Sequence, residues 1–282
     1  MRHYPALRLT WPSRPTDDAI ERTLAVVDDT APTGYDREGD AARIFFASPA
    51  ARDLARELLR TADPALVCAS VDVPDEDWAE RSQAALGPVR VGALVVAPPW
   101  VPPDGSAPWI TIVPSMGFGT GHHASTRLCL ALAQSMPLAG CRVLDAGTGS
   151  GVLAIAAWRL GAAAVTAVDL DQDAVDCAID NVARNGAAGG VAVRALDVAT
   201  GAAALGRVDV VFANLTGDLL ARQAALLVSL LEPDGQIVVS GVMTSEEAGV
   251  AGAFSAAGAR IVERRAEDEW VGLRLTRSSG PA

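Results

Sequence analysis

Two glycine clusters about twenty residues apart hold the residues of this chain best placed to do chemistry. The second, VLDAGTGSG from Val143 to Gly151, reads as a strand that breaks into glycines and then opens a helix. Gly147, Gly149 and Gly151 permit a tight turn and let a ligand lie against bare backbone, where a side chain would clash. The spacing is GxGxG, not the GxGxxG of dinucleotide sites. The next strand ends VDLD, so Asp169 lies 22 residues after Gly147. A carboxylate there can accept both hydroxyls of a ribose. The loop has no lysine or arginine to hold a phosphate, so the pattern predicts a nucleoside rather than a nucleotide. Asp145 is placed to face the ligand from the strand end. Asp197, closing VAVRALD, either meets the exocyclic amine of the base or is a solvated turn residue. DVVFANL puts Asn214 at the carboxyl end of its strand, the edge where open α/β sheets bind ligands, and its amide can hold an amine nucleophile.

The first cluster is PSMGFGTGHHAST, Pro114 to Thr126. It lacks the GK[ST] of a phosphate loop, which disfavours nucleotide hydrolysis. His122 and His123 are adjacent and point apart, and the chain has 3 histidines in all, so a zinc site with its three or four ligands is not expected. The stretch reads as a lid. Phe118, Gly119, Thr120 and Gly121 come close to a ligand seated on the second cluster, and Thr126 starts the helix beside it. Strand, GxGxG, helix, strand and aspartate in this order form the usual layout of an S-adenosylmethionine site.

The elements that position these residues form a regular series. From Ser125 onward short apolar strands alternate with amphipathic helices, which predicts a doubly wound, mostly parallel sheet. ARIVERRAEDE and WVGLRLTR follow as an antiparallel hairpin at its edge. VRVGALVVAPPW and WITIVPSM are expected as strands joined by a proline-rich turn. Residues 1–74 read β-α-(β)-β-α-β, the order of a ferredoxin-like α+β sandwich, with Thr16 and Ser48 capping the two helices. The predicted organisation is therefore an N-terminal α+β domain over 1–74, a charged, proline-bounded linker over 75–88, and a Rossmann-like α/β domain over 89–282.

Composition narrows the class. Of 282 residues half are hydrophobic, enough for a sizeable core, and the formal charge of −11 argues against nucleic acid or an anionic membrane as partner. All 23 basic residues are arginine; the sequence contains no lysine. Cys68, Cys129, Cys141 and Cys177 are widely spaced without a CxxC, predicting neither zinc nor disulfides. The first residues lack a signal-peptide core and no apolar run reaches membrane-span length, so a soluble, cytoplasmic chain is expected.

GFGTGHHAST, VLDAGTGSGVLAIAAWRLGA, VDLDQDAVDCAIDNVARNG and FANLTGDLL together resemble the family of methyltransferases that modify ribosomal protein L11. The likeness runs from about Asp77 to Thr276. It implies a class I methyltransferase domain that trimethylates lysine ε-amines and the N-terminal amine. It also implies a small N-terminal domain that recognises the ribosomal protein. The family's S-adenosylmethionine contacts fall on Thr126, Gly147, Asp169 and Asn214, with Asn214-Leu215 as the amine-methylation pair. The chain departs from the family pattern at Ser82, Val113, Ser115, Gly117 and Ser125, in the linker and near the pocket mouth. A same-fold enzyme acting on another protein lysine or a small molecule is one alternative. A catalytically silent binding module is another.

Overall fold

The structure is a computed structural model that describes residues 3–12, 15–27, 30, 32–38, 41–74, 87–105, 107–113 and 121–278. Phe118, Gly119, Thr120, Ser115, Gly117 and the linker residues Asp77 and Ser82 lie outside them. The chain divides into two compact units, Met1–Ala85 and Leu86–Ala282. Among the described residues no helix is long and apolar enough to cross a membrane.

The first unit carries strands β1 (His3–Thr10), β2 (Pro32–Glu38), β3 (Ala41–Phe46) and β4 (Val67–Pro74), with helices α1 (Asp17–Val27) and α2 (Pro49–Ala62). The strands form one antiparallel sheet in the order β2-β3-β1-β4. This is the expected ferredoxin-like arrangement. Alternation along β1 and β3 turns Leu7, Leu9, Ile44 and Phe46 toward the helices, where they meet Ala55 and Leu59. Ser48 caps α2 by accepting from Ala51 N at 3.2 Å, ahead of Pro49.

The second unit opens with a small sheet of β5 (Val89–Val91), β6 (Leu94–Ala97) and β7 (Trp109–Thr111). Here VRVGALVVA is two strands rather than the one expected, because Gly92 takes φ +56° and reverses the chain. The main sheet follows, built from β8 (Arg142–Ala146), β9 (Ala164–Asp169), β10 (Val191–Ala195), β11 (Val208–Asn214), β12 (Leu231–Met243), β13 (Ala259–Glu267) and β14 (Trp270–Arg277). Their spatial order is β10-β9-β8-β11-β12-β14-β13. The first five are parallel, and β14 runs antiparallel between β12 and β13. Helices α3 (Ala124–Ala133), α4 (Val152–Arg159) and α5 (Gln172–Arg184) cover one face. α7 (Gly217–Ser229) and α8 (Glu247–Ala256) cover the other, and α6 (Val198–Gly201) is one turn after β10. Val143, Val210 and Phe212 pack into the first layer; Leu144, Val211 and Val239 pack into the second.

Two buried asparagines on and just after α5 hold β7 in place. β7 pairs with β6 along one edge, and side chains serve the other. Asn185 accepts from Thr111 N at 2.9 Å and donates to Thr111 O at 2.7 Å, reproducing the pairing of a strand neighbour. Asn181, fully buried, accepts from Val113 N and donates to Ser150 O, both at 2.9 Å. Asn185→Leu strips both partners from Thr111. Leaving such groups unpaired costs about 1–3 kcal/mol each, so urea unfolding is expected to register a loss of about 2 kcal/mol or more. A loss below about 0.5 kcal/mol would show that this edge is satisfied some other way.

Candidate active site

The strand order reverses between β8 and β11, and a cleft of about 730 Å³ opens there at the carboxyl ends of β8, β9, β11 and β12. The sequence-predicted residues Gly147, Gly149, Asp169 and Asn214 all line it. Asp169 ends β9 and organises the glycine loop: Oδ2 accepts from Gly149 N at 2.9 Å and Oδ1 from Asp171 N at 3.1 Å. Each carboxylate oxygen retains acceptor capacity for a diol. Gly147 N and Thr148 N both donate to Val168 O, which ties the loop to β9. The described lining includes the carboxylates of Asp169, Asp171 and Asp173, an acceptor-rich wall that suits the hydroxyls of a sugar.

Asn214 and Thr126 come from β11 and α3, and the fold brings them together. Asn214 Nδ2 donates to Thr126 Oγ1 at 3.4 Å, and Thr126 is itself buried. Spending the amide's donor on Thr126 leaves Asn214 Oδ1 as an acceptor. Thr126 stands behind Asn214 and does not line the cleft. Nor does it begin its helix: His123 is the N-cap, its Nδ1 accepting from Ser125 N at 3.3 Å. The two histidines diverge as expected, with His122 Nε2 donating to Gly87 O at 3.1 Å.

Other candidates lie outside the described lining of the cleft. Asp197 caps α6 by accepting from Ala199 N at 2.8 Å and is not among the described lining residues. Gly151 serves packing: a Cβ there would come within 3.3 Å of Ala178 Cβ on α5. Gly121 is pressed against Val96 and is likewise absent from the lining. Trp109 belongs to β7 and is not among the described residues that line the cleft.

Asp145 is also not in the lining. Alternation in β8 turns it into the layer beneath α4, where Oδ2 accepts from Thr148 Oγ1 at 2.6 Å and Ala154 N at 3.1 Å. Burial pushes its carboxyl up to about 6, against the lowering effect of these two bonds, and the nearby Asp169 charge adds to the rise. A carboxyl raised in the folded state binds protons more tightly folded than unfolded. Its ionisation therefore opposes folding above about pH 6, and the cost vanishes below its unfolded value. The effect is on the order of 3 kcal/mol at one pKa unit per 1.36 kcal/mol. The stability of the wild type relative to Asp145→Asn is expected to fall by that order as pH rises from 4 to 7.5, read by urea unfolding. A difference that stays flat across this range would contradict the assignment.

Trp270 is a lining residue that the sequence did not single out. It follows the β13–β14 turn and meets His123 edge-on, ring centroids 4.6 Å apart at 71°. Arg127 on α3 fastens that turn, with Nε 2.9 Å and Nη2 2.5 Å from Glu267 Oε1, and it also donates to His122 O. No local pattern in EDEWVG points to a glycine loop more than a hundred residues upstream; only the antiparallel insertion of β14 brings them together.

A doubly wound sheet in this order, with its glycine loop, strand-end aspartate and Asn-Leu strand end at one cleft, defines a class I methyltransferase. Comparison with known proteins makes the assignment finer. The family model described as Ribosomal protein L11 methyltransferase (PrmA) matches residues 35–278. A protein of that name from Symbiobacterium thermophilum is 40% identical over 205 residues, covering 71% of this chain and 66% of the relative. One from Cupriavidus metallidurans is 34% identical over 251 residues, covering 88% and 77%. The match spans about two thirds of the length of several such relatives. The crystal structure of ribosomal protein L11 methylase from Lactobacillus delbrueckii subsp. bulgaricus superposes with a TM-score of 0.63 at 28% identity, covering 68% of this chain and 100% of that one. The chain belongs to the ribosomal protein L11 methyltransferase (PrmA) family.

Proposed function

We propose that this chain methylates lysine ε-amines, and the N-terminal amine, of ribosomal protein L11 in the cytoplasm, using S-adenosylmethionine. The observation that carries this reading is the meeting of Asn214 with the glycine loop and Asp169 around one cleft. Gly147, Gly149 and Asp169 would hold the nucleoside end, and the pocket's bare glycine backbone fits it. When bound, S-adenosylmethionine supplies an electrophilic methyl group. The acceptor amine must arrive neutral, although a free lysine titrates near 10.4, so a partly apolar pocket of Leu215, Leu219 and Trp270 favours loss of its proton to solvent. Asn214 Oδ1 accepts from the remaining N–H and aims the nitrogen lone pair. No Ser-His-Asp arrangement is needed; positioning supplies the rate. The N-terminal domain, residues 1–74, would recognise the substrate protein.

Incubation with L11 and methyl-labelled S-adenosylmethionine tests this. Label on L11 at lysine and at the first residue supports the reading. Tight cofactor binding by calorimetry with an unlabelled L11 overturns the substrate and leaves the chemistry. No binding at millimolar cofactor overturns both.

A further inference from the structure

Leu215, next to Asn214 at the end of β11, is gripped from two sides. Its N–H donates to Ser240 O on β12 at 3.1 Å. A Cβ on Gly147 would stand 2.5 Å from Leu215 Cδ2. A Cβ on Gly241 would stand 2.3 Å from Leu215 O and 3.2 Å from Asn214 Oδ1. Both glycines take positive φ, +73° and +81°, and both line the cleft. Gly241 lies where the β12–β14 register shifts between Val239 and Val242, an irregularity of the kind that re-aims groups beside active sites. The Leu215 carbonyl oxygen accepts no hydrogen bond among the described residues.

We propose that Leu215 is a wedge between two bare backbones, Gly147 of the glycine loop and Gly241 of the β12 irregularity. The wedge sets the distance from that loop to Asn214 Oδ1, the oxygen that faces the acceptor amine. Gly241 is thus a positioning residue, and so is Gly147. This rests on the amine-methylation reading given above. Any side chain at 241 must drive the Leu215 carbonyl back by about 1 Å to restore an ordinary carbon–oxygen contact. A displacement of about 1 Å in a reacting geometry lowers turnover about 100-fold. Cofactor contacts at Asp169 lie on another strand and are left in place.

The test compares Gly241→Ala with Gly258→Ala. Gly258 has the same backbone strain, φ +86°, but nothing within 4 Å of an added Cβ. Gly258→Ala should lower the melting temperature through φ strain alone and Gly241→Ala by more, so kcat is compared at a temperature where both are folded. For Gly241→Ala, calorimetry should give a cofactor Kd within about threefold of wild type while kcat falls about 100-fold. Gly258→Ala should keep wild-type kcat. Equal kcat in the two variants, or a cofactor affinity that falls in step with kcat, overturns the proposal. A double-mutant cycle reads the other side of the wedge without turnover. Leu215→Ala removes the atom that an added Cβ on Gly147 would strike but leaves the φ strain, so Gly147→Ala should shift the urea midpoint less in that background. Equal shifts overturn the wedge. An inactive wild type with an intact cycle would instead count against the amine-methylation reading alone.

Discussion

Asn214→Ala is expected to lower kcat on L11 by about 10²–10³-fold, the size seen when one positioned polar group is removed from a reacting centre. The geometry makes the effect specific. Asn214 Nδ2 is committed to the buried Thr126 hydroxyl, so the side chain is fixed and its oxygen is the part that alanine removes. Cofactor affinity should fall less than about tenfold, because Asp169 and the glycine loop remain. Steady-state kinetics together with calorimetry separates the two quantities. Turnover within about threefold of wild type would remove Asn214 from the acceptor site.

Asp169→Ala should act on the opposite quantity. Two hydrogen bonds that ribose hydroxyls would donate to the carboxylate, each worth about 1.5–3 kcal/mol, are lost, so cofactor Kd should weaken about 10²–10⁴-fold. The same substitution also releases Gly149 N and Asp171 N, which Asp169 gathers from the loop and the following turn. Asp169→Asn keeps an acceptor for one of those amides and should weaken binding less. If the alanine variant binds cofactor within about fivefold of wild type, the diol is held elsewhere.

Much of this architecture is legible in the sequence because local physics writes it there. Period-two strands and capped helices return the first unit's order, and a strand that runs into GxGxG marks the cleft before any contact is known. What the sequence leaves unread depends on distant partners. Asp145 and Asp197 look alike at strand ends, yet one is sealed under α4 by Thr148 and Ala154 N and the other caps a turn. Asn185 reads as an ordinary helix C-terminus, and its pairing with Thr111 spans 74 positions. Gly151 shares a motif with Gly147, but only the latter's missing side chain makes room for a residue at the cleft.

The insertion of β14 between β12 and β13 also orders events during synthesis. Trp270 walls the cleft, and β12 pairs only with β11 until Trp270–Arg277 has left the ribosome. A nascent chain can therefore build the glycine loop and Asp169 long before the cleft is complete. Of the described residues that line the cleft, Trp270 is the last to be made, so that wall is the final part of the cleft to be added.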